Sequence, residues 1–286
     1  MDLDLEHVLD RTRKGQWSVH EFDWDTPLQG ADHLSEQEKR EMALMILFTA
    51  GLEIQAARIF ELCARYVTDK TAKQIYELFG IDERRHAEAE ILMARRLGTE
   101  WEDLPLATRA MFKFQDVLWQ SPTRLLHEFT STQIILFEIG LDALLIPALK
   151  EIDDPLQKEV FRRIDVDESR HLAMDYWLLQ RKAEGVDIEL RKPTTLQRLR
   201  MAPMMVFMPM GFVAVARNAK SMQARMRSPE RVANYWNRVN HVTDKAPGAM
   251  NLKLYRMGVK MQEQMQRMMG RVSGEGAPPP GRAAAA

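Results

Sequence analysis

Two strings in this chain have the residue types and spacing to grip a metal ion: Asp82-Glu83-Arg84-Arg85-His86 and Asp167-Glu168-Ser169-Arg170-His171. Each contains Glu-x-x-His, a pattern found nowhere else in the sequence. A further glutamate precedes each motif glutamate at one and the same distance, Glu53 before Glu83 and Glu138 before Glu168. The whole set therefore repeats with a single period, Glu53 to Glu138 matching Glu83 to Glu168 and His86 to His171. On a helix, positions i and i+3 share a face, so a glutamate and a histidine at that spacing can hold one ion together. A lone Glu-x-x-His is more often a solvated ion pair. Two of them in one register, each with a partner glutamate in an apolar stretch, are hard to obtain by accident.

The interval from Glu53 to Glu83 is explained by the elements that must carry these side chains. Its midpoint falls at Thr68-Asp69, a polar break. An antiparallel helical hairpin turning there sets Glu53 level with Glu83. The second half repeats this about Asp153-Asp154-Pro155. Two such hairpins packed together put Glu53, Glu83, His86, Glu138, Glu168 and His171 at one level in a bundle core.

The local signals agree. Ser35 and Glu38 form a capping box that opens a helix to about Tyr66. That helix is apolar nearly all round from Met42 to Phe48, as a buried helix should be. Glu53 sits inside it, and a buried carboxylate requires a cation or a proton. The next helix runs from about Lys70 to Leu97 and stops at Gly98-Thr99. Ser121-Pro122 reads as the start of a third helix to about Glu151, kinked near its end by Pro147. Asp154-Pro155 opens a fourth, ending near Gly185. Asp82 and Asp167 suit a role behind the ligands, accepting the free imidazole N–H of a ligand histidine, with Arg85 and Arg170 balancing their charge.

Helix formers dominate the 286 residues, so the chain reads as all-α: a four-helix bundle of two antiparallel hairpins with additional C-terminal helices. Four segments are expected: an N-terminal arm over 1–34 carrying Trp17, Phe22 and Trp24; the bundle over 35–185; a basic, methionine-rich helical extension over 186–273; and a disordered tail over 274–286. The single cysteine, Cys63, excludes an intrachain disulfide and suits a reducing cytoplasm. No signal peptide is read at the start. Net charge is −1 overall but −14 over residues 1–190 and +13 over 191–286. The basic part either meets the acidic part of its own chain or an acidic partner, namely an acidic carrier protein or an anionic membrane surface. No nucleic-acid partner is expected. Met201 to Ala216, interrupted by Pro203 and Pro209, is too short and kinked for a membrane span. It reads as a lid packed on the bundle in preference to an interfacial anchor.

Glu53, Asp82-Glu83-x-Arg85-His86, Glu138 and Asp167-Glu168-x-Arg170-His171 resemble the di-iron site of the ferritin-like superfamily, over residues 35–185 or so. The Asp-Glu-x-Arg-His form is similar to the oxygenase branch: bacterial multicomponent monooxygenase hydroxylases, arylamine N-oxygenases and, more distantly, ribonucleotide reductase small subunits. There are departures. Ile164 stands where arylamine N-oxygenases add a histidine, and Glu90 where reductase small subunits carry their radical tyrosine. Asp142 stands where monooxygenase hydroxylases have a threonine facing the centre, which makes it a candidate catalytic proton relay, extra ligand or supporting acid. The resemblance implies two iron ions, or an iron–manganese pair, on the six ligands, with Glu83 and Glu168 as bridges; carboxylate and imidazole donors suit those metals. It further implies dioxygen as co-substrate, a small apolar or carrier-bound organic substrate, and an external electron donor such as a reductase or ferredoxin. A homodimer and a position peripheral to a membrane stay open. The rival reading is a ferroxidase or a rubrerythrin-like peroxide scavenger, although the sequence has no Cys-x-x-Cys pair for a rubredoxin centre.

Overall fold

The computed structural model describes residues 3–120, 123–186, 194–196, 199 and 202–273. The expected cap at Ser121-Pro122 and the expected tail over 274–286 lie outside those residues. Helix α1 (Leu5–Lys14) and a single turn at Val19–Glu21 precede the bundle. Helix α2 (Glu36–Tyr66) begins at the capping box, where Ser35 and Glu38 satisfy each other's backbone N–H groups. It is buried on nearly every side from Met42 to Gly51. Helix α3 (Lys70–Arg96) starts on Asp69, whose carboxylate accepts from the N–H groups of Thr71 and Ala72. It ends before Gly98, which adopts a φ of 74° that a side chain would resist. Helices α2 and α3 form the first hairpin.

Helix α4 (Leu106–Trp119) crosses between the halves. It approaches α2 where Gly51 has no side chain, and a Cβ there would collide with the Phe112 ring. The second hairpin starts with α5 (Arg124–Gly140), capped by Thr123. Its axis continues through a wide turn at Leu141–Leu145, where the Ile146 N–H reaches back to the carbonyl of Leu141, and then through the short α6 (Ile146–Leu149). Pro147 has no N–H to offer the carbonyl one turn back, and its ring crowds that carbonyl, so the preceding turn widens. Helix α7 (Pro155–Ala183) returns, with Asp154 as its cap and Pro155 in its first turn. The two N-caps, Asp69 and Asp154, stand one period apart, like the ligands.

A C-terminal layer covers the bundle: α8 (Met204–Asn218), α9 (Lys220–Met226), α10 (Pro229–Lys245) and α11 (Lys253–Ser273). Helix α8 is the expected lid. Its Phe212 ring meets Phe48 of α2 edge-on at 4.9 Å, and Val215 and Ala219 join the core. Full burial of such a ring contributes roughly 1.5–3 kcal/mol, and Phe212, only partly buried, contributes less. Helices α10 and α11 cover the outer side of α5, where Tyr235, Val239 and Tyr255 pack on Ile135 and Ile139. The basic layer meets acids of its own chain: Arg225 pairs with Glu38 and Glu151, and Arg231 with Glu151. Among the described residues two helices, α2 and the Arg124–Leu149 run, are long and apolar enough to cross a membrane, but their apolar windows are 83% and 72% buried inside the protein.

Candidate metal centre

Each hairpin delivers three of the six expected ligands to the middle of the bundle. Glu53 comes from α2, Glu83 and His86 from α3, Glu138 from α5, and Glu168 and His171 from α7, all between 0% and 3% exposed. They form two overlapping groups of four. Glu53, Glu83, His86 and Glu168 can each offer a donor atom within 4.8 Å of the others, and so can Glu83, Glu138, Glu168 and His171. Glu83 and Glu168 belong to both groups, the arrangement two bridging carboxylates require.

The histidines aim inward with Nδ1. His86 Nδ1 lies 3.2 Å from Glu168, and His171 Nδ1 lies 2.8 Å from Glu83. Yet both Nδ1 atoms, both oxygens of Glu83 and Glu168, and one oxygen each of Glu53 and Glu138 are buried without a properly aligned hydrogen-bond partner. The donor atoms converge on shared points in space and not on one another. Buried orphan oxygens and nitrogens are costly, and a pair of divalent cations would satisfy all of them while neutralising four carboxylates. The donor set therefore fits two metal ions.

The titration behaviour of the cluster points the same way. Burial drives the carboxyls of Glu53, Glu83 and Glu138 above the usual range, with neighbouring carboxylates adding to the rise for Glu83 and Glu138. Burial opposes charge on Glu168 too, but Glu138 and the two histidines hold it well below the usual range. Burial also disfavours charged histidine, yet Asp167 and Glu168 lift His86 to about 10, while Glu168 and Asp82 lift His171 to about 9. The bare cluster thus keeps protons where cations would otherwise supply the positive charge.

Behind the ligands, the aspartates work crosswise. Asp167 accepts from Nε2 of His86 at 3.0 Å and so supports the histidine of the other hairpin, whereas Asp82 faces Nε2 of His171 at 3.5 Å without an aligned hydrogen bond. Burial opposes charge on Asp167, but His86, Arg170 and Trp17 hold its carboxyl well below the usual range. An ionised Asp167 fixes the proton on Nε2 of His86 and leaves Nδ1 free to bind. Arg85 donates to Asp82 at 2.5 Å and to Asp167 at 3.1 Å, and Arg170 pairs with Asp167.

Asp142, the candidate relay, extra ligand or supporting acid, belongs to neither group of four and lies at the wide turn. The wide turn beginning at Leu141 breaks the regular helical spacing, and Arg238 of α10 engages the carboxylate in an ion pair. Asp142 instead stands with Arg238, Lys245 and Tyr176 around a polar cleft of about 450 Å³ that reaches Glu168. On the other side, Glu138 lines an apolar cavity with Ile59, Phe129 and Phe137.

Sequence reasoning missed four residues. Trp17 donates its indole N–H to Asp167 at 2.8 Å, and Gln16 donates to Asp82 at 2.8 Å. Nothing in the sequence ties the N-terminal arm to either motif. Glu90 and Asp175, one turn past each histidine, are 1% and 3% exposed, and burial raises both carboxyls well above the usual range. Their signal was present, because they too are separated by the ligand period.

A helical bundle carrying a carboxylate–histidine cluster in its core has the ferritin-like fold. The chain is similar to the crystal structure of Streptococcus sanguinis dimanganese(II)-NrdF, with 12% identity and a TM-score of 0.51 over 97% of this chain and 90% of that one. At this identity the likeness concerns the fold. No protein-family model and no curated protein matches the sequence.

Proposed function

We propose that this chain is a non-haem di-iron oxidoreductase of the oxygenase or oxidase kind, which uses dioxygen to oxidise a small apolar or carrier-bound organic substrate. The observation that carries this reading is the double tetrad sharing Glu83 and Glu168, with an apolar cavity reaching Glu138 and a separate polar cleft reaching Glu168. The manganese pair named for the similar structure keeps an iron–manganese pair open as the metal content. When bound, the metal pair supplies two-electron reduction of dioxygen, chemistry that no side chain here can perform.

The protein's own part is binding, orientation and the control of protons. Glu53 and His86 would hold one ion and Glu138 and His171 the other, with Glu83 and Glu168 available to both. Asp167 and Asp82 hold the imidazoles in the tautomer that presents Nδ1. The apolar walls beside Glu138 keep water from the substrate side. The polar cleft past Asp142 and Arg238 gives protons a route to Glu168. Electrons come from an external donor, a reductase or ferredoxin.

Metal analysis of the purified chain, then anaerobic ferrous loading and rapid mixing with oxygen, tests this. We expect two irons per chain and a transient optical signal that decays faster when an oxidisable substrate is present. Direct conversion to ferric mineral would favour a ferroxidase. No bound metal at all would remove the reading.

A further inference from the structure

The geometry points to an unbranched aliphatic chain as the substrate, held in a three-chambered channel that ends at Glu138. The inner chamber, about 80 Å³, is the one walled by Glu138. A second of about 140 Å³ lies between α2, the wide turn and the C-terminal layer. A third of about 280 Å³ opens between α8 and α11. Phe137 lines all three, so they adjoin one another around that residue. Met208 lines both the inner and the outer chamber. This naming of the substrate class rests on the oxidoreductase reading of the metal centre.

Shape and chemistry select the occupant. A dry apolar cavity of ~150 Å³ accommodates a molecule the size of benzene, so each inner chamber takes only a few carbons. A fused-ring ligand could fill only the outer chamber, which Glu138 does not line, whereas a flexible chain can extend from one room into the next. The polar groups in the walls are largely spoken for: Gln55 accepts from Trp119, Gln133 donates to the carbonyl of Leu254, and Thr130 to that of Leu126. What remains at the inner end are acceptors, namely Glu138 and the buried, unpartnered Oε1 of Gln115. No Lys or Arg stands among the residues lining the inner chamber to pair with an anionic headgroup, so the chain enters tail first. Its mouth suits this. The outer chamber is walled largely by apolar side chains, Met208, Pro209 and Phe212 from α8 and Met261 and Met265 from α11.

The test is calorimetric titration of the full chain, metal-loaded and again after chelation, with hexanoate, octanoate, decanoate and dodecanoate, and with adamantanecarboxylate as a compact control. Affinity should tighten about fourfold for each methylene that finds a place in the channel, in both metal states, while the compact acid binds weakly. Phe137→Trp should leave hexanoate unchanged and weaken dodecanoate by at least about tenfold, the scale of overpacking a filled site. Met208→Trp, away from the junction, should do the same and covers the case of a poorly folded Phe137 variant. Neither substitution should alter metal content. Affinity independent of chain length, a compact acid bound as well as decanoate, or both tryptophan variants without effect would overturn the inference. Chain binding in a protein that takes up no metal would instead leave the channel standing and remove the oxidoreductase reading.

Discussion

The two hairpins carry the same ligands with one period, yet they serve the centre differently. In the first, α2 runs unbroken past Glu53 and presses it into the core. In the second, the helix past Glu138 opens into a wide turn at Leu141–Leu145. The wide turn borders two approaches to the centre: an apolar cavity between the hairpins, lined by Leu141 and Glu138 as well as Ile59 of α2, and a polar cleft lined by Asp142 and Glu168. Repetition therefore fixes who binds, and the helix break decides what can enter. The supports also differ. Asp167 gathers His86, Trp17 and both arginines, whereas Asp82 lies 3.5 Å from His171 and leans on Gln16 and Arg85.

The sharpest way to break the symmetry is to remove a ligand. Glu83→Ala or Glu168→Ala takes a donor from both tetrads, so metal content should fall from two per chain to near zero. Glu53→Ala or Glu138→Ala takes a donor from one tetrad, and about one metal should remain. Elemental analysis with circular dichroism to confirm folding decides between these. Equal losses from all four variants would mean that Glu83 and Glu168 do not bridge.

A second experiment weighs the supporting aspartates. Replacing a hydrogen-bonded partner of a ligand histidine costs roughly 10–100-fold in metal affinity. Asp167→Asn should fall at the upper end and Asp82→Asn at the lower, because only Asp167 makes a close bond to its histidine. Competition with a chelator measures both. If Asp82→Asn proved the more damaging, the asymmetry seen between the two supports would have no energetic meaning.

The shared period, the glutamates in apolar helices and the caps at Ser35, Asp69 and Asp154 made the bundle and its six ligands legible in the sequence. These are local or periodic signals, and the helical hairpin is itself a local fold. What could not be read was set by contacts distant in sequence. Trp17 reaches Asp167 from the far end of the described chain, and no periodicity links them. The crosswise aspartate–histidine pairing depends on α3 and α7 running antiparallel. The pairing of Asp142 with Arg238 was likewise set by two helices far apart in the chain, although Pro147 foretold some distortion of the helix nearby. Glu90 and Asp175 obey the period and were legible in principle.

Acidity sharpens the comparison between bare and loaded protein. In the metal-free fold His86 and His171 titrate near 10 and 9, against an ordinary value of 6.5. Between 6.5 and these values the folded chain holds protons that the unfolded chain has released, so folding stability falls as pH rises through this window. Below the ordinary value that contribution is fully present. The raised carboxyls of Glu53, Glu83 and Glu138 act with the same sign. Thermal melting of the chelated protein should therefore show a midpoint declining from about pH 6.5 to 10. The metal-loaded protein should lack that decline, because cations have replaced the protons. A chelated protein with a flat profile would show that the cluster does not hold those protons.

The smallest effect is expected where the second hairpin departs from the first. Asp142 and Arg238 have side chains 27% and 39% exposed, so their ion pair is partly solvated. Pairs of this kind contribute about 0–1 kcal/mol, and Asp142→Asn should change unfolding free energy by no more than that. Metal content should stay at two per chain, since Asp142 belongs to neither tetrad. What should change is the polar cleft, where losing the carboxylate frees Arg238 and makes the approach to Glu168 more positive. The rate of oxygen consumption should then depend on ionic strength differently from the parent protein, because an exposed charge is screened by salt. Loss of a metal in this variant would mean that Asp142 helps to hold the centre after all.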